Sequence, residues 1–257
     1  MRRAKFAPPR EDKNWVLGPR AVFEALSAPQ GLRLKRVYIT PSSARAHPEI
    51  EQAAASAGVA LEQCEMAKLR ALAGEQRHQG VLAEAEAYAY WDLPDLLDSL
   101  RRPALVVALD ELSDPRNFGA IVRSAVAFDC DGLVVPKHRS ASVTPAAARS
   151  AAGATEHAKI AQVTNLNRAL DSLRDEGLRI VGFDSEAEGE LEHCPPHPAG
   201  DVLVVGSEGK GLRRMVRERC DLLLKISTPG PLHSLNASVA AGIAFHHFSR
   251  LRLSAGG

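Results

Sequence analysis

The 257-residue sequence predicts an α/β protein, with a mostly parallel, helix-covered sheet in its C-terminal part and a smaller α/β unit ahead of it. Three observations lead there. From Pro103 onward, short apolar runs alternate with runs of helical period, the pattern of repeated strand–helix units. Ala104-Leu105-Val106-Val107-Ala108-Leu109 is apolar without a break, as in a strand buried on both faces. Between about Glu84 and Arg102 the composition shifts, with Tyr88, Tyr90, Trp91 and Pro94 ahead of a short amphipathic run, Leu93, Leu96, Leu97 and Leu100. These features divide the chain into a basic flexible tail (1–13), a small α/β domain (14–84), a linker containing a helix (85–102) and the larger domain (103–253).

In the small domain, Pro19 to Leu26 has helical spacing, with Val22, Phe23 and Leu26 on one face. Arg36 to Thr40 is a short strand bounded by Pro41. Ile50 to Ala57 is helical and stops at Gly58. A strand over Val59–Glu62, a helix over Met66–Leu72 and a strand over Gly80–Ala83 complete it. In the large domain the strands fall at Ala104–Leu109, Gly132–Val135, Lys159–Ala161, Arg179–Phe183, Val202–Val205 and Leu222–Ile226. Helices fall at Asn117–Phe128, Thr144–Ala152, Leu166–Glu176, from Leu212, and at Leu235–Leu251. Gly177 sits where a helix C-terminus favours glycine.

Composition narrows the class. Hydrophobic residues make up 45% and charged residues 25%, so the chain can bury a core of ordinary size. Cys64, Cys130, Cys194 and Cys220 have no paired spacing, which points to neither a disulfide framework nor a zinc site. His193-Cys194-Pro195-Pro196-His197 lacks a second ligand pair and reads as a surface turn, so no metal is expected. There is no apolar leader and no stretch of membrane-spanning length, which leads to a cytoplasmic reading without a membrane partner. The net charge is only +1, so any nucleic-acid contact must use local clusters such as Arg2, Arg3, Lys5, Arg10 and Lys13. Trp91 and the tyrosines read as packing residues, although such rings can also stack on bases.

Three loops carry the candidate chemistry. Gly206-Ser207-Glu208-Gly209-Lys210-Gly211 follows an apolar strand and precedes a helix, where open α/β sheets bind ligands. Its glycines permit close backbone approach. The order is neither the dinucleotide fingerprint nor a Walker loop, and a tight strand-to-helix turn would also use it. Thr228 to Ser234 is a breaker-rich loop in which Ser234 can cap the last helix. Ala237, Ala240, Ala241 and Gly242 give that helix a small-residue face for close packing. Asp114-Pro115-Arg116-Asn117-Phe118-Gly119 opens another helix and places Arg123 about two turns into it. On their own, Asn117 reads equally as a cap and Arg123 as a surface ion-pair partner.

Taken in order, Asn117 to Arg123, Gly206 to Leu212 and Ser234 to Ile243 resemble the three motifs of the SpoU (TrmH-like) family of RNA ribose 2′-O-methyltransferases, in the SPOUT class. Asn14 to Val22 resembles the family's opening segment, and Arg77-His78-Gln79-Gly80-Val81 its "HQG" block; the two-domain layout, with Asp110 to Pro115 and Val135 to Ala141, looks most like the branch acting on guanosine of bacterial 23S rRNA. The chain departs from that pattern at Pro19 and Arg20, at Pro231, Leu232 and His233, and at Ala237. The resemblance implies a trefoil-knotted C-terminal domain and a ribosomal-protein-like RNA-binding domain before it. It implies S-adenosylmethionine as cofactor, touched by Gly206, Ile226 and Leu235. It also implies a homodimer with the active site at the subunit interface. Catalytic roles would fall to Asn117, Arg123, Glu208, Ser234 and Asn236. The expected reaction is methyl transfer to a guanosine 2′-hydroxyl of 23S rRNA. A tRNA or antibiotic-resistance methyltransferase of the same family, or a non-enzymatic RNA-binding assembly factor, are the alternatives.

Overall fold

The computed structural model describes residues 15–27, 33–74, 78–86, 88–207, 209, 211–231 and 234–255. It divides into two compact units, up to Tyr88 and from Ala89 onward. The basic tail expected over residues 1–13, Asn14, Arg77 and Glu208 lie outside the described residues.

The N-terminal unit runs β1 (Trp15–Leu17), α1 (Pro19–Ser27), β2 (Leu34–Ile39), α2 (Pro41–Ala46), α3 (Pro48–Ser56), β3 (Ala60–Gln63), α4 (Met66–Ala73) and β4 (Val81–Ala85). The sheet order is β1-β4-β2-β3, with β2 and β3 parallel and the other pairs antiparallel. Tyr38, Leu69, Ala73 and Leu82 form a core under Trp15, whose ring meets Tyr38 edge-on at 6.1 Å. Two elements differ from the expectation. β1 is a three-residue strand that exists only by pairing with β4. Pro41 does not merely end β2. It opens α2, because Thr40 Oγ1 accepts from Ser43 N at 3.3 Å and proline suits a first helical turn.

The C-terminal unit runs α5 (Leu93–Asp98), β5 (Ala104–Leu109), α6 (Pro115–Ala127), β6 (Gly132–Pro136), α7 (Pro145–Ala151), β7 (Ile160–Val163), α8 (Leu166–Asp175), β8 (Arg179–Phe183), β9 (Gly189–Glu190), β10 (Gly200–Val205), α9 (Arg214–Arg217), β11 (Leu222–Lys225) and α10 (Ala237–Ala255). Its described strands form one parallel sheet in the order β7-β6-β5-β10-β8-β11-β9. The sixfold apolar run of β5 is buried along its whole length. Ala104, Val106 and Ala108 face a core with Leu96 of α5, Leu170 and Leu173 of α8 and Val216 of α9. α10 packs against β5, β10 and α6. Within the segment read as a linker, Trp91 bridges to Ala161, α5 packs on β7, and Tyr90 Oη accepts from Val143 N at 2.9 Å.

Asp131 fastens the end of α10 to this sheet. Its carboxylate, 1% exposed, accepts from Leu105 N at 2.8 Å, Arg101 Nε at 2.5 Å and Arg252 Nη1 at 2.9 Å. β10 inserts between β5 and β8, while β11 lies on the far side of β8. Strands late in the chain thus lie between strands that precede them in sequence, an order that short sequential connections would not give. Because β10, β8 and β11 are parallel neighbours, their carboxyl ends meet at one edge of the sheet.

Candidate active site

A cleft opens beyond those three strand ends, lined by Gly206, Ile226, Ser234 and Leu235 among others. Ligand sites of open α/β sheets lie in this position. β10 runs into Gly206, and the following turn is closed by Ser207 N to Gly211 O (3.1 Å) and Gly211 N to Ser207 O (3.0 Å). A Cβ on Gly206 would stand 2.7 Å from Leu212 N and collide with the Gly211 backbone, so no larger residue fits. Gly209 and Gly211 take φ of +77° and +63°, open to glycine at little cost. The helix expected from Leu212 begins only at Arg214. Arg213 is held extended because its N and Nε donate to the fully buried Asp110 carboxylate at 2.8 and 2.6 Å. Asp110 thereby ties the loop after β10 to the end of β5.

The third wall is the start of α10. Ser234 does not cap this helix; it lies ahead of it and lines the cleft. The cap is Asn236, whose Oδ1 accepts from Ser238 N (2.9 Å), Val239 N (3.4 Å) and Ser238 Oγ (2.6 Å). Its Nδ2 donates to Asn117 Oδ1 at 3.2 Å. The first and third sequence blocks, over a hundred residues apart, are thus joined side chain to side chain. Asn117 is buried in the first turn of α6 and does not cap it. Asp114 does, accepting from Arg116 N at 2.9 Å, and that N–H, with the Arg116 side chain, holds its carboxyl below the usual range.

Arg123 is exposed on α6 and does not line the cleft. No hydrogen bond or ion pair joins it to another described residue. α10 crosses α6 close by, since a Cβ on Gly242 would stand 3.7 Å from Ser124 Oγ. Asp184 and Ser185 also line the cleft and were not singled out in the sequence. Asp184 pairs with Arg217 and accepts from Glu186 N at 2.9 Å. Their one signal was position, as the first polar residues after the apolar strand Arg179–Phe183. The His193–His197 segment is structural: Cys194 is buried, and Arg179 Nη2 donates to Pro195 O at 2.8 Å. Among the described residues no group of three His, Cys, Asp or Glu could hold a metal, and no helix is long and apolar enough to cross a membrane.

Residues 104–246 match the model of the SpoU rRNA methylase family, and residues 15–91 match the RNA 2′-O ribose methyltransferase substrate-binding model. The chain belongs to the SpoU family. It is 42% identical over 247 residues to an uncharacterised tRNA/rRNA methyltransferase of Mycolicibacterium smegmatis, covering 95% of this chain and 78% of that one. A protein of the same name from Mycolicibacterium vanbaalenii is 43% identical over 249 residues, covering 95% and 79%. Among solved structures, the SpoU methyltransferase AviRb from Streptomyces viridochromogenes superposes with a TM-score of 0.63 at 23% identity, covering 94% of this chain and 90% of that one. AviRb has also been solved with AdoMet, covering 93% of this chain. The A. aeolicus TrmH/SpoU tRNA-modifying enzyme matches at a TM-score of 0.53 and 26% identity over 64% of this chain and 82% of its own. The SpoU protein described here is therefore an RNA 2′-O-methyltransferase. Its C-terminal unit has the SPOUT-type trefoil-knotted fold, and its N-terminal unit is the RNA substrate-binding domain.

Proposed function

We propose that this SpoU enzyme transfers the methyl group of S-adenosylmethionine to the 2′-hydroxyl of a guanosine in 23S rRNA. The observation that carries this reading is the cleft itself: Gly206, Ile226, Ser234 and Leu235 line it together, and Asn236 links the start of α10 to Asn117. The residues present fit the cofactor. Glycine at 206 lets the loop after β10 fold tightly back on Gly211 and Leu212 at the edge of the cleft, and Leu224, Ile226 and Leu235 offer apolar contact for a flat ring. When bound, S-adenosylmethionine supplies an electrophilic methyl on a sulfonium.

A guanidinium has no free lone pair to accept a proton, so Arg123 takes an electrostatic role rather than that of a base. Its guanidinium pairs with the phosphate beside the reacting ribose and stabilises negative charge developing on the 2′ oxygen. The proton leaves to a phosphate oxygen or to water. Asn117 and Asn236 hold the site's geometry and Ser234 lines the cleft, while Glu208 lies outside the described residues.

The enzyme acts as a homodimer with its active site at the subunit interface. Two features support this: Arg123 lies outside its own chain's cleft, and Val239 and Ile243, one turn apart on α10, are 50% and 40% exposed. Ribosomal RNA is favoured over tRNA by the two-unit layout, since the tRNA-modifying neighbour spans only 64% of this chain. The test is transfer of labelled methyl by the purified protein to 23S rRNA and to bulk tRNA side by side. Label in 23S rRNA alone supports the reading; label in tRNA overturns the target.

A further inference from the structure

The N-terminal unit contains a turn whose chemistry its fold does not use. His78 to Val81 closes with Val81 N donating to His78 O at 2.9 Å, and both central residues have positive φ, Gln79 at +49° and Gly80 at +77°. That is the pattern of a type I′ turn, where asparagine, aspartate or glycine is favoured at the first central position. Glutamine gains nothing there locally, because its longer side chain does not serve the turn's backbone.

The described residues around Gln79 are tied together. His78 is buried, and its Nδ1 accepts from Gly80 N at 3.3 Å. Gly80 O accepts from Thr40 N at 2.9 Å, and a Cβ on Gly80 would stand 2.7 Å from Thr40 Oγ1. The Gln79 carbonyl accepts from Ser43 Oγ at 3.1 Å. The Gln79 side chain alone is exposed, and it makes no hydrogen bond with any described residue.

The other non-glycine residues with positive φ all lie in the C-terminal unit. Asp129 and Ala152 follow the ends of α6 and α7, where the left-handed conformation is common. Glu111 and Arg139 lie in the loops that follow β5 and β6 in the other unit, after strands ending at Leu109 and Pro136. Gln79 is the one such residue among the described part of the N-terminal unit, and backbone held in a sparsely populated region points to function when no local reason explains it.

We infer that Gln79 is a specificity-determining residue that reads a nucleobase of the RNA substrate. Its amide carries a donor and an acceptor in one plane, matching the hydrogen-bonding edge of an unpaired base. The rigid turn presents that amide with little left to order on binding. The inference rests on RNA binding by the N-terminal unit and holds for either RNA target.

The test compares the full-length wild type with Gln79→Gly and Gln79→Glu. Filter binding measures affinity for 23S rRNA and for bulk tRNA across a salt series, alongside thermal melting. Glycine suits the turn, so Gln79→Gly should melt at or above the wild-type temperature. It should nevertheless weaken binding to the preferred RNA about tenfold, the scale of one bidentate base contact. The salt dependence should stay unchanged, because a neutral amide displaces no counterion. Gln79→Glu, which loses the donor, should weaken binding at least as much. Wild-type affinity in Gln79→Gly overturns the inference, and so does a loss that comes with a lower melting temperature or a shallower salt slope. Which RNA the wild type prefers bears on the target alone; the ratio of variant to wild type bears on Gln79 alone.

Discussion

Asn236 performs two tasks that substitution can separate. Its Oδ1 caps α10 through Ser238 N and Val239 N, and its Nδ2 holds Asn117. Removing an N-cap costs about 1 kcal/mol, and removing a hydrogen bond of this kind about 1 kcal/mol more. Asn236→Ala should therefore destabilise the fold by about 2 kcal/mol, or roughly 4–8 °C in melting temperature for a unit of this size. Serine caps a helix as well as asparagine but is too short to reach Asn117. Asn236→Ser should keep most of the stability while methyl transfer falls on the order of 10–100-fold, the scale of a misplaced reacting group. Thermal melting and single-turnover transfer to RNA read the two effects separately. Full activity in Asn236→Ser would refute the link to Asn117, and equal melting losses in the two variants would refute the cap.

Three further outcomes follow from the geometry. Gly206→Ala forces a Cβ into the Gly211–Leu212 backbone, so calorimetry should find S-adenosylmethionine binding weakened more than about tenfold while the protein stays folded. Asp131→Ala leaves Leu105 N without its acceptor while Arg252 and Arg101 keep Asp129, and urea unfolding should show a loss of about 1–3 kcal/mol. Burial, with His246 adding to it, holds the His247 imidazole below its ordinary value, outweighing the opposing charge of Glu192. The neutral ring is thus favoured in the folded state. Its contribution is complete above about pH 6.5 and fades as the pH falls further, so the melting temperature should drop less between pH 8 and pH 5.5 in His247→Leu than in wild type.

The parts of the fold legible from sequence are those set by local pattern. The apolar run of β5 and the helical period of α8 place those elements within a residue of their observed bounds. What escaped depends on distant partners. β1 is a strand only because β4 lies beside it. α9 starts late because Asp110, about a hundred residues upstream, holds Arg213 extended. Ser234 and Asn236 are both good caps by residue type, and the choice of Asn236 comes with its bond to Asn117 on another helix. The insertion of β10 between β5 and β8 leaves no periodic trace, so the knot was legible only through motif resemblance. Asp184 and Ser185 entered the site for the same reason: their strand ends beside two others that sequence order does not place there.

The catalytic use of Arg123 is tested most directly by Arg123→Ala, scored for S-adenosylmethionine binding and for single-turnover methyl transfer to 23S rRNA in the same preparation. The expected result is cofactor affinity within about twofold of wild type, with transfer reduced by at least about a hundredfold. Arg123→Lys should recover little of it, since lysine lacks the guanidinium's forked pairing with phosphate. Equal loss of binding and transfer in a folded protein, or transfer that survives the alanine, would contradict the role assigned to this arginine.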